Sequence, residues 1–149
     1  MSVTIRPATD QDVSAIVAIE QQELSASHWK VDKYQSRLKD GCLLVAEREK
    51  RVCGFICAHA VLSDWDIENL VVAAAFRRRG IADQLLRALM EEPRNGPGTA
   101  WLLEVRESNE AARALYEKHG FLEVGRRRGY YREPSEDAVL YEHRVRIAE

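Results

Sequence analysis

Long apolar runs are missing from these 149 residues; the longest, Leu70–Phe76, falls far short of what a bilayer-crossing helix needs. The opening Ser2-Val3-Thr4-Ile5-Arg6 reads as a short strand rather than the apolar core of a leader, so no secretory signal is expected. An excess of one charge is missing too. With 22 basic and 24 acidic residues the net charge is −2, which gives no general attraction to nucleic acid or to a membrane. Cysteine is scarce and odd in number, at Cys42, Cys53 and Cys57. Cys53 and Cys57 share a strand face with Phe55 and His59, which favours packing over disulfides. There is no Cys-x-x-Cys pair and no His-Glu-x-x-His, so no metal site is expected. Together these absences predict a cytoplasmic protein without a metal.

What is present is ordinary for a globular chain, 46% hydrophobic and 31% charged. A chain of this length reads as one domain, residues 1–149, able to bury about 68–70% of its unfolded surface. Val3–Arg6 is an opening strand, and Thr9-Asp10-Gln11-Asp12 is a capping box for a helix carrying Val13, Ile16, Val17 and Ile19. The helical pattern lapses around Ser25–Trp29. A second helix runs from Val31 to about Leu38 and ends at Asp40-Gly41. Cys42–Glu47 and Arg51–Leu62 form a hairpin about Arg48-Glu49-Lys50, and Asp64–Val72 is the next strand. Glu92–Thr99 is the one extended loop, and there are no repeats or low-complexity tracts.

The most informative segment is Phe76-Arg77-Arg78-Arg79-Gly80-Ile81-Ala82-Asp83. It lies between the apolar Leu70-Val71-Val72 and a stretch in which Ile81, Leu85 and Leu89 recur at helical spacing. A glycine turn from a strand into a helix aims backbone N–H groups and the positive end of the helix dipole at one place, which suits a phosphate or pyrophosphate. A solvated basic turn would look the same. The segment is neither a Walker loop nor the three-glycine dinucleotide fingerprint.

Further on, Trp101-Leu102-Leu103-Glu104-Val105-Arg106 reads as a strand with two largely apolar faces and a carboxylate near its end. Ser108-Asn109 caps a helix over Glu110–His119 that carries Tyr116; Gly120 ends it, and Phe121–Val124 starts another strand. The predicted order of elements is βααβββαβαββ, and the predicted architecture a mixed α/β sheet with helices on both faces.

Arg77-x-x-Gly80-x-Ala82 resembles the acetyl-coenzyme-A pyrophosphate motif of the GNAT acetyltransferase superfamily. Leu103–Arg106, Ser108-Asn109 and Ala114-Leu115-Tyr116-Glu117-Lys118-His119-Gly120-Phe121 resemble its second half. The similarity extends from Ile5-Arg6-Pro7-Ala8 to the last strand, and is nearest to the bacterial branch acting on N-terminal alanine of ribosomal proteins. The resemblance implies a GNAT-like, mostly antiparallel sheet and acetyl-CoA as co-substrate. It implies that the backbone of Leu70, Val71 and Val72 takes the pantetheine arm, and that Arg77, Arg78, Arg79, Gly80, Ile81, Ala82 and Asp83 surround the pyrophosphate. Asn109 would also contact the cofactor, or serve as a helix cap only, or do both.

Acyl transfer from a thioester to an amine needs an unprotonated amine, a polarised carbonyl and stabilisation of the leaving thiolate. Glu104 is the candidate base: a carboxylate at the end of an apolar strand is expected to have a raised pKa. Capping the strand or pairing with Arg106 is the alternative. The resemblance makes Tyr116 the donor to the departing thiolate. A tyrosine near pKa 10 gives its proton to the thiolate of a thiol near 8.5 only uphill, by about 2 kcal/mol, so a hydrogen bond describes the role better than full transfer. Pattern alone also allows Tyr116 to be a packing residue. No cysteine has an activating base in the sequence, so direct attack is expected rather than an acetyl-cysteine carrier.

Three features depart from the family pattern: Ala82 for a commoner glycine, Ala73-Ala74-Ala75 for an acidic-proline turn, and Glu68 at a usually apolar position. Glu68 would contact the acceptor or face solvent. On the acceptor side, His28-Trp29 and Gly129-Tyr130-Tyr131 resemble two elements that flank a peptide channel in the N-terminal acetyltransferase branch. Trp29, Tyr130 and Tyr131 are therefore the candidate substrate-binding residues, although adjacent tyrosines also occur as ordinary strand-end aromatics. The expected partner is a protein N-terminus, such as that of a small-subunit ribosomal protein. The competing readings are a lysine or small-amine acceptor, or a silent acetyl-CoA-binding module.

Overall fold

In this computed structural model, which describes residues 2–22, 31–92, 100–132 and 134–144, strands and helices follow the expected order βααβββαβαββ. The chain divides into two compact units, Met1–His59 with Glu68–Asn95 and Ala60–Ile67 with Gly96–Glu149.

In the first unit β1 (Thr4–Pro7) pairs antiparallel with β2 (Gly41–Arg48), Ile5 opposite Ala46. β2 pairs antiparallel with β3 (Arg51–Val61), Val45 opposite Phe55. Their connection bends through Glu49 and Lys50 at φ 52° and 64°, the left-handed pair that matches the twist of a tight hairpin. Alternation then sorts side chains between the two faces. Leu43, Val45, Phe55 and Cys57 meet Val13, Ile16 and Ile19 of α1 (Val13–Gln21) and Tyr34 of α2 (Val31–Asp40) in one core. The Tyr34 and Phe55 rings meet edge-on at 5.5 Å. On the opposite face α3 (Ile81–Met90) buries Ile81, Leu85, Leu86 and Leu89. A Cβ on Gly54 would lie 3.4 Å from Leu85 Cδ1 and 3.0 Å from Val71 O, so this glycine allows the close approach.

Two polar clusters tie the unit together. Tyr34 donates its hydroxyl hydrogen to the buried Glu20, and Asn69 Nδ2 donates to the same hydroxyl at 3.2 Å, so both helices are linked to β4 (Asp64–Val72) beside Leu70. The expected capping box opens a 3-10 turn at Asp10–Asp12 ahead of α1. Thr9 N donates to Asp12 Oδ2 at 2.8 Å, while the Arg6 guanidinium reaches both Asp12 oxygens at 2.8 and 3.0 Å.

In the second unit β5 (Ala100–Arg106) runs parallel to the start of β4, from Trp65 opposite Trp101 to Ile67 opposite Leu103. It runs antiparallel to β7 (Ser135–Arg144), with Leu103 opposite Tyr141 and Glu104 opposite Leu140. β7 in turn pairs antiparallel with β6 (Leu122–Arg132), Ala138 opposite Arg127. α4 (Glu110–Lys118) covers the face of Leu103 and Tyr141: the Tyr141 hydroxyl donates to Glu117 Oε2 at 2.6 Å and accepts from Arg113 Nε at 3.1 Å. Gly120, at φ 87°, ends the helix as expected, and the Phe121 N–H closes the turn on Tyr116 O at 3.0 Å. The hydrogen-bonded strand order is β1-β2-β3-β4-β5-β7-β6, so the sheet is mixed and mostly antiparallel.

Hydrogen bonds from Arg6 hold the Asp12 carboxyl below its ordinary pKa. A carboxyl whose pKa is lower in the folded chain stabilises the fold above the unfolded value of about 3.9, and that contribution is lost as pH falls through the folded value. Asp12→Asn keeps the shape but weakens the charged contacts and the cap. It should cost about 1–2 kcal/mol at pH 7 by urea unfolding, with the difference from wild type shrinking below about pH 4. An equal loss at pH 7 and pH 3 would mean that Asp12 acts through packing instead.

Candidate active site

In the first unit the segment after β4 builds an anion-ready turn. Ala74–Phe76 forms one 3-10 turn, Arg77 Nε donates to Val72 O at 3.2 Å, and the Arg79 guanidinium lies 5.8 Å from the Phe76 ring centroid. Arg78 takes φ 63° and Gly80 φ 77°, two left-handed residues separated by one. For arginine that conformation carries a steric cost, the kind of strain that clusters at functional turns. Nothing lies within 4 Å of where a Gly80 Cβ would be, so the glycine answers to its φ and to the open space beside it rather than to packing. The first backbone bond of α3 runs from Gln84 N to Gly80 O at 3.1 Å. The Ile81 and Ala82 N–H groups therefore lie ahead of the ladder, at the positive end of the helix. Open space, a glycine without a Cβ and leading N–H groups together fit a pyrophosphate.

Three basic side chains sit on this turn, at Arg77, Arg78 and Arg79, and Asp83 in the first turn of α3 pairs with Arg87 at 2.7 Å. Of Leu70, Val71 and Val72, Val71 is buried in the core and its two neighbours are half-buried.

In the second unit β5 presents Glu104 on the face away from α4, together with Leu140 and Ala138 of β7 and Arg127 of β6. Its side chain is 30% exposed, and its Oε1 lies 3.1 Å from Arg127 Nε. This differs from the apolar setting expected from the sequence, and the partner is not Arg106. Arg106 is occupied elsewhere, donating to Glu136 Oε1 at 3.0 Å and to Pro134 O at 3.2 Å.

Both predicted tyrosines lie beside Glu104. Tyr130 and Tyr131 meet edge-on at 5.2 Å, Arg127 lies over the Tyr130 ring at 5.6 Å, and Arg106 over the Tyr131 ring at 4.2 Å. Burial, followed by the charge of Glu104, raises the Tyr131 phenol pKa. Glu136 accepts from Ser108 N and Oγ, both at 3.0 Å, and Gly129 N donates to Asp137 Oδ1 at 2.9 Å. The first two bonds tie β7 to the segment that follows β5, and the third ties β6 to β7. The carboxylate is thus flanked by two arginine–tyrosine stacks.

Tyr116 projects from α4 onto the other face of the strand pair. It is 6% exposed, 5.5 Å from Phe121 and 6.4 Å from Tyr141 between ring centroids. Burial raises its phenol pKa, which keeps the hydroxyl protonated and able to donate. Asn109 caps α4, its Oδ1 accepting from Ala112 N at 3.2 Å, and this leaves its amide hydrogens for a further partner.

Trp29 lies outside the described residues, as does most of the loop expected over 92–99. Glu68 does not face solvent: Arg37 donates to both its oxygens at 2.6 and 2.8 Å, and His59 Nδ1 comes within 2.9 Å. Burial raises the thiol pKa values of Cys53 and Cys57, with the charge of Glu68 adding to the latter, so neither is an activated nucleophile. Arg127 went unpredicted because its contact joins strands that are adjacent only through β7; the run Arg126–Arg128 before two tyrosines was the available signal.

The family model described as "Acetyltransferase (GNAT) family" matches residues 11–121. The ribosomal protein bS18-alanine N-acetyltransferase of Escherichia coli (strain K12) is 33% identical over 141 residues, 92% of this chain and 94% of that protein. A crystal structure of the Escherichia coli ribosomal-protein-S18-alanine N-acetyltransferase superposes with a TM-score of 0.88 at 30% identity, covering 99% of this chain and 97% of that one. The Arabidopsis thaliana NAA60 structure in complex with acetyl-CoA, at 20% identity, shares the fold with a TM-score of 0.86 over 97% of this chain and 99% of its own.

The turn makes its own prediction. Gly80→Val places a branched Cβ in the open space and strains a φ of 77°. Acetyl-CoA affinity of the folded variant, measured by calorimetry, should fall by about tenfold or more, with Gly80→Ala intermediate. Unchanged affinity in both would put the phosphates elsewhere.

Proposed function

This chain belongs to the acetyltransferase (GNAT) family, and we propose that it acetylates the α-amine of a protein N-terminus, an alanine in the first instance, from acetyl-CoA by direct attack. The observation that carries this reading is the division of labour across β5: Glu104 with the tyrosine pair on one face, the buried Tyr116 on the other. A base beside an aromatic platform and a phenol donor behind the strand suit an acceptor arriving on one side and a thiolate leaving on the other.

Acetyl-CoA supplies an activated acetyl thioester. Arg77, Arg78, Arg79, Gly80, Ile81, Ala82 and Asp83 would hold its pyrophosphate, and the backbone of Leu70, Val71 and Val72 would pair with its pantetheine arm as an added strand does. One N–H of that stretch would polarise the thioester carbonyl. The family resemblance assigns Asn109, which caps α4, a cofactor contact of its own. Glu104 takes the proton released by the amine, and the Tyr116 hydroxyl donates a hydrogen bond to the departing thiolate. The raised pKa of Tyr116 disfavours full proton transfer to a thiolate and favours this hydrogen-bonding role. The presence of both Glu104 and Tyr116 favours an enzyme over a silent binding module.

An α-amine, with a pKa of roughly 7.7–8 against about 10.4 for lysine, is the easier group to deprotonate near neutral pH. Tyr130 and Tyr131 offer ring surface and polar edges to an extended peptide end, with Trp29 as a further contact assigned by the family resemblance. The acceptor class follows the Escherichia coli relative, a ribosomal protein bS18-alanine N-acetyltransferase. Residues 1–149 would act as one N-acetyltransferase domain, since the family match at 11–121 draws on both units. A cytoplasmic setting suits a ribosomal acceptor, and among the described residues no helix is long and apolar enough to cross a membrane.

The test is acetyl transfer to two peptides, one starting with alanine and one with its N-terminus blocked and a lysine available. The first should be modified and the second much less. Tyr131→Ala should raise KM for the first peptide while leaving acetyl-CoA binding intact. Efficient modification of the blocked peptide would move the enzyme into the lysine acetyltransferase class.

A further inference from the structure

We propose that Arg127 is a positioning residue for acetyl transfer: it holds the Glu104 carboxylate by one oxygen and leaves the other aimed at the acceptor amine. This rests on the reading of Glu104 as the proton acceptor.

The contact is long-range and one-sided. Arg127 Nε meets Glu104 Oε1 at 3.1 Å, reaching from β6 across β7, where Ala138 opposite Arg127 and Leu140 opposite Glu104 share one face. Arg126 and Arg106 are committed elsewhere. Arg126 points to the other face and is bound to Glu107 Oε1 at 2.6 Å and Glu123 Oε1 at 3.2 Å. Arg106 is held by Glu136, Pro134 O and the Tyr131 ring.

Arg127 is itself steadied, with its guanidinium over Tyr130. A register shift lies between Arg127 and Tyr131, and such bulges re-aim side chains next to active sites. At Glu104 the cation meets the one carboxylate that the reaction requires.

A glutamate has three rotatable bonds, and a half-exposed one samples several rotamers. An ion pair through Oε1 restricts the carboxylate rotamers and leaves the lone pairs of Oε2 as the acceptor site. In the step itself the amine nitrogen forms its bond to the acetyl carbon as the carbon–sulfur bond breaks. The electron pair leaves with sulfur, whose charge Tyr116 stabilises, and the proton from nitrogen goes to Glu104 Oε2. Arg127 touches none of the reacting atoms. It sets the direction from which the proton is taken, and misdirection is costly in such steps.

A kinetic double-mutant cycle tests this, with Arg127→Gln, Arg127→Lys, Glu104→Gln and the Arg127→Gln/Glu104→Gln pair assayed on the alanine peptide. Arg127 is well exposed, so circular dichroism should find all four folded. Arg127→Gln should lower kcat about tenfold with KM for acetyl-CoA unchanged, and Arg127→Lys should recover most of it. In the Glu104→Gln background, Arg127→Gln should cost less than about twofold more, because the group it positions is gone. Wild-type kcat in Arg127→Gln, or an equal loss in both backgrounds, would overturn the positioning role alone. Wild-type kcat in Glu104→Gln would overturn the base assignment and this inference with it.

Discussion

The side-chain period of two along β5 is the constraint on which the candidate chemistry depends. Leu103 and Val105 turn toward α4, so Glu104 between them must turn away. Tyr141, opposite Leu103 on β7, anchors α4 by its bonds to Glu117 and Arg113, and this sets Tyr116 against the same face. A single-residue slip in the β5–β7 register would exchange the faces and bury the carboxylate under α4. The buried alternation that stabilises the unit thus also keeps the proposed base and the proposed thiolate donor apart: the carboxylate half-open beside charged and aromatic groups, the phenol buried and protonated.

The first unit contributes by different physics. Its turn at Arg78–Gly80 is strained in the arginine and permissive in the glycine, and the rigid part is what surrounds it. α3 is fixed by its buried leucines, and β4 is tied to both leading helices through the Glu20–Tyr34–Asn69 cluster. Glu68, with Arg37 on both oxygens, adds a second tie between α2 and β4 close to Leu70. A loop that must present N–H groups to an anion gains from such stiff neighbours, since ordering it on binding would cost affinity.

Local signals were legible in the sequence. Ile81–Leu85–Leu89 spacing after Gly80 gave α3 its start, Asn109 and Gly120 bounded α4, and Glu49-Lys50 marked the hairpin, because each depends on a few consecutive residues. The surroundings of Glu104 were not legible. Its partner lies on a strand that reaches it only through the order β5-β7-β6, and nothing within a short window states that order. The same holds for Glu68: a charge at an apolar position of β4 gave no hint that α2 would supply Arg37. Tyr130 and Tyr131 were visible as a pair, but their place beside the carboxylate came from long-range pairing and from the turn bonds to Asp137 and Glu136.

The buried hydroxyl of Tyr116 is proposed to serve the reaction rather than the packing of α4. Tyr116→Phe tests it most directly, because the ring keeps its contacts with Phe121 and Tyr141 and only the oxygen is lost. Turnover and thermal unfolding should be measured on the same preparation. With Phe at this position kcat should fall by about a hundredfold, of the order seen when one donor to a developing charge is removed, while the unfolding temperature hardly moves. A variant that unfolds readily but whose folded fraction turns over at the wild-type rate would contradict it.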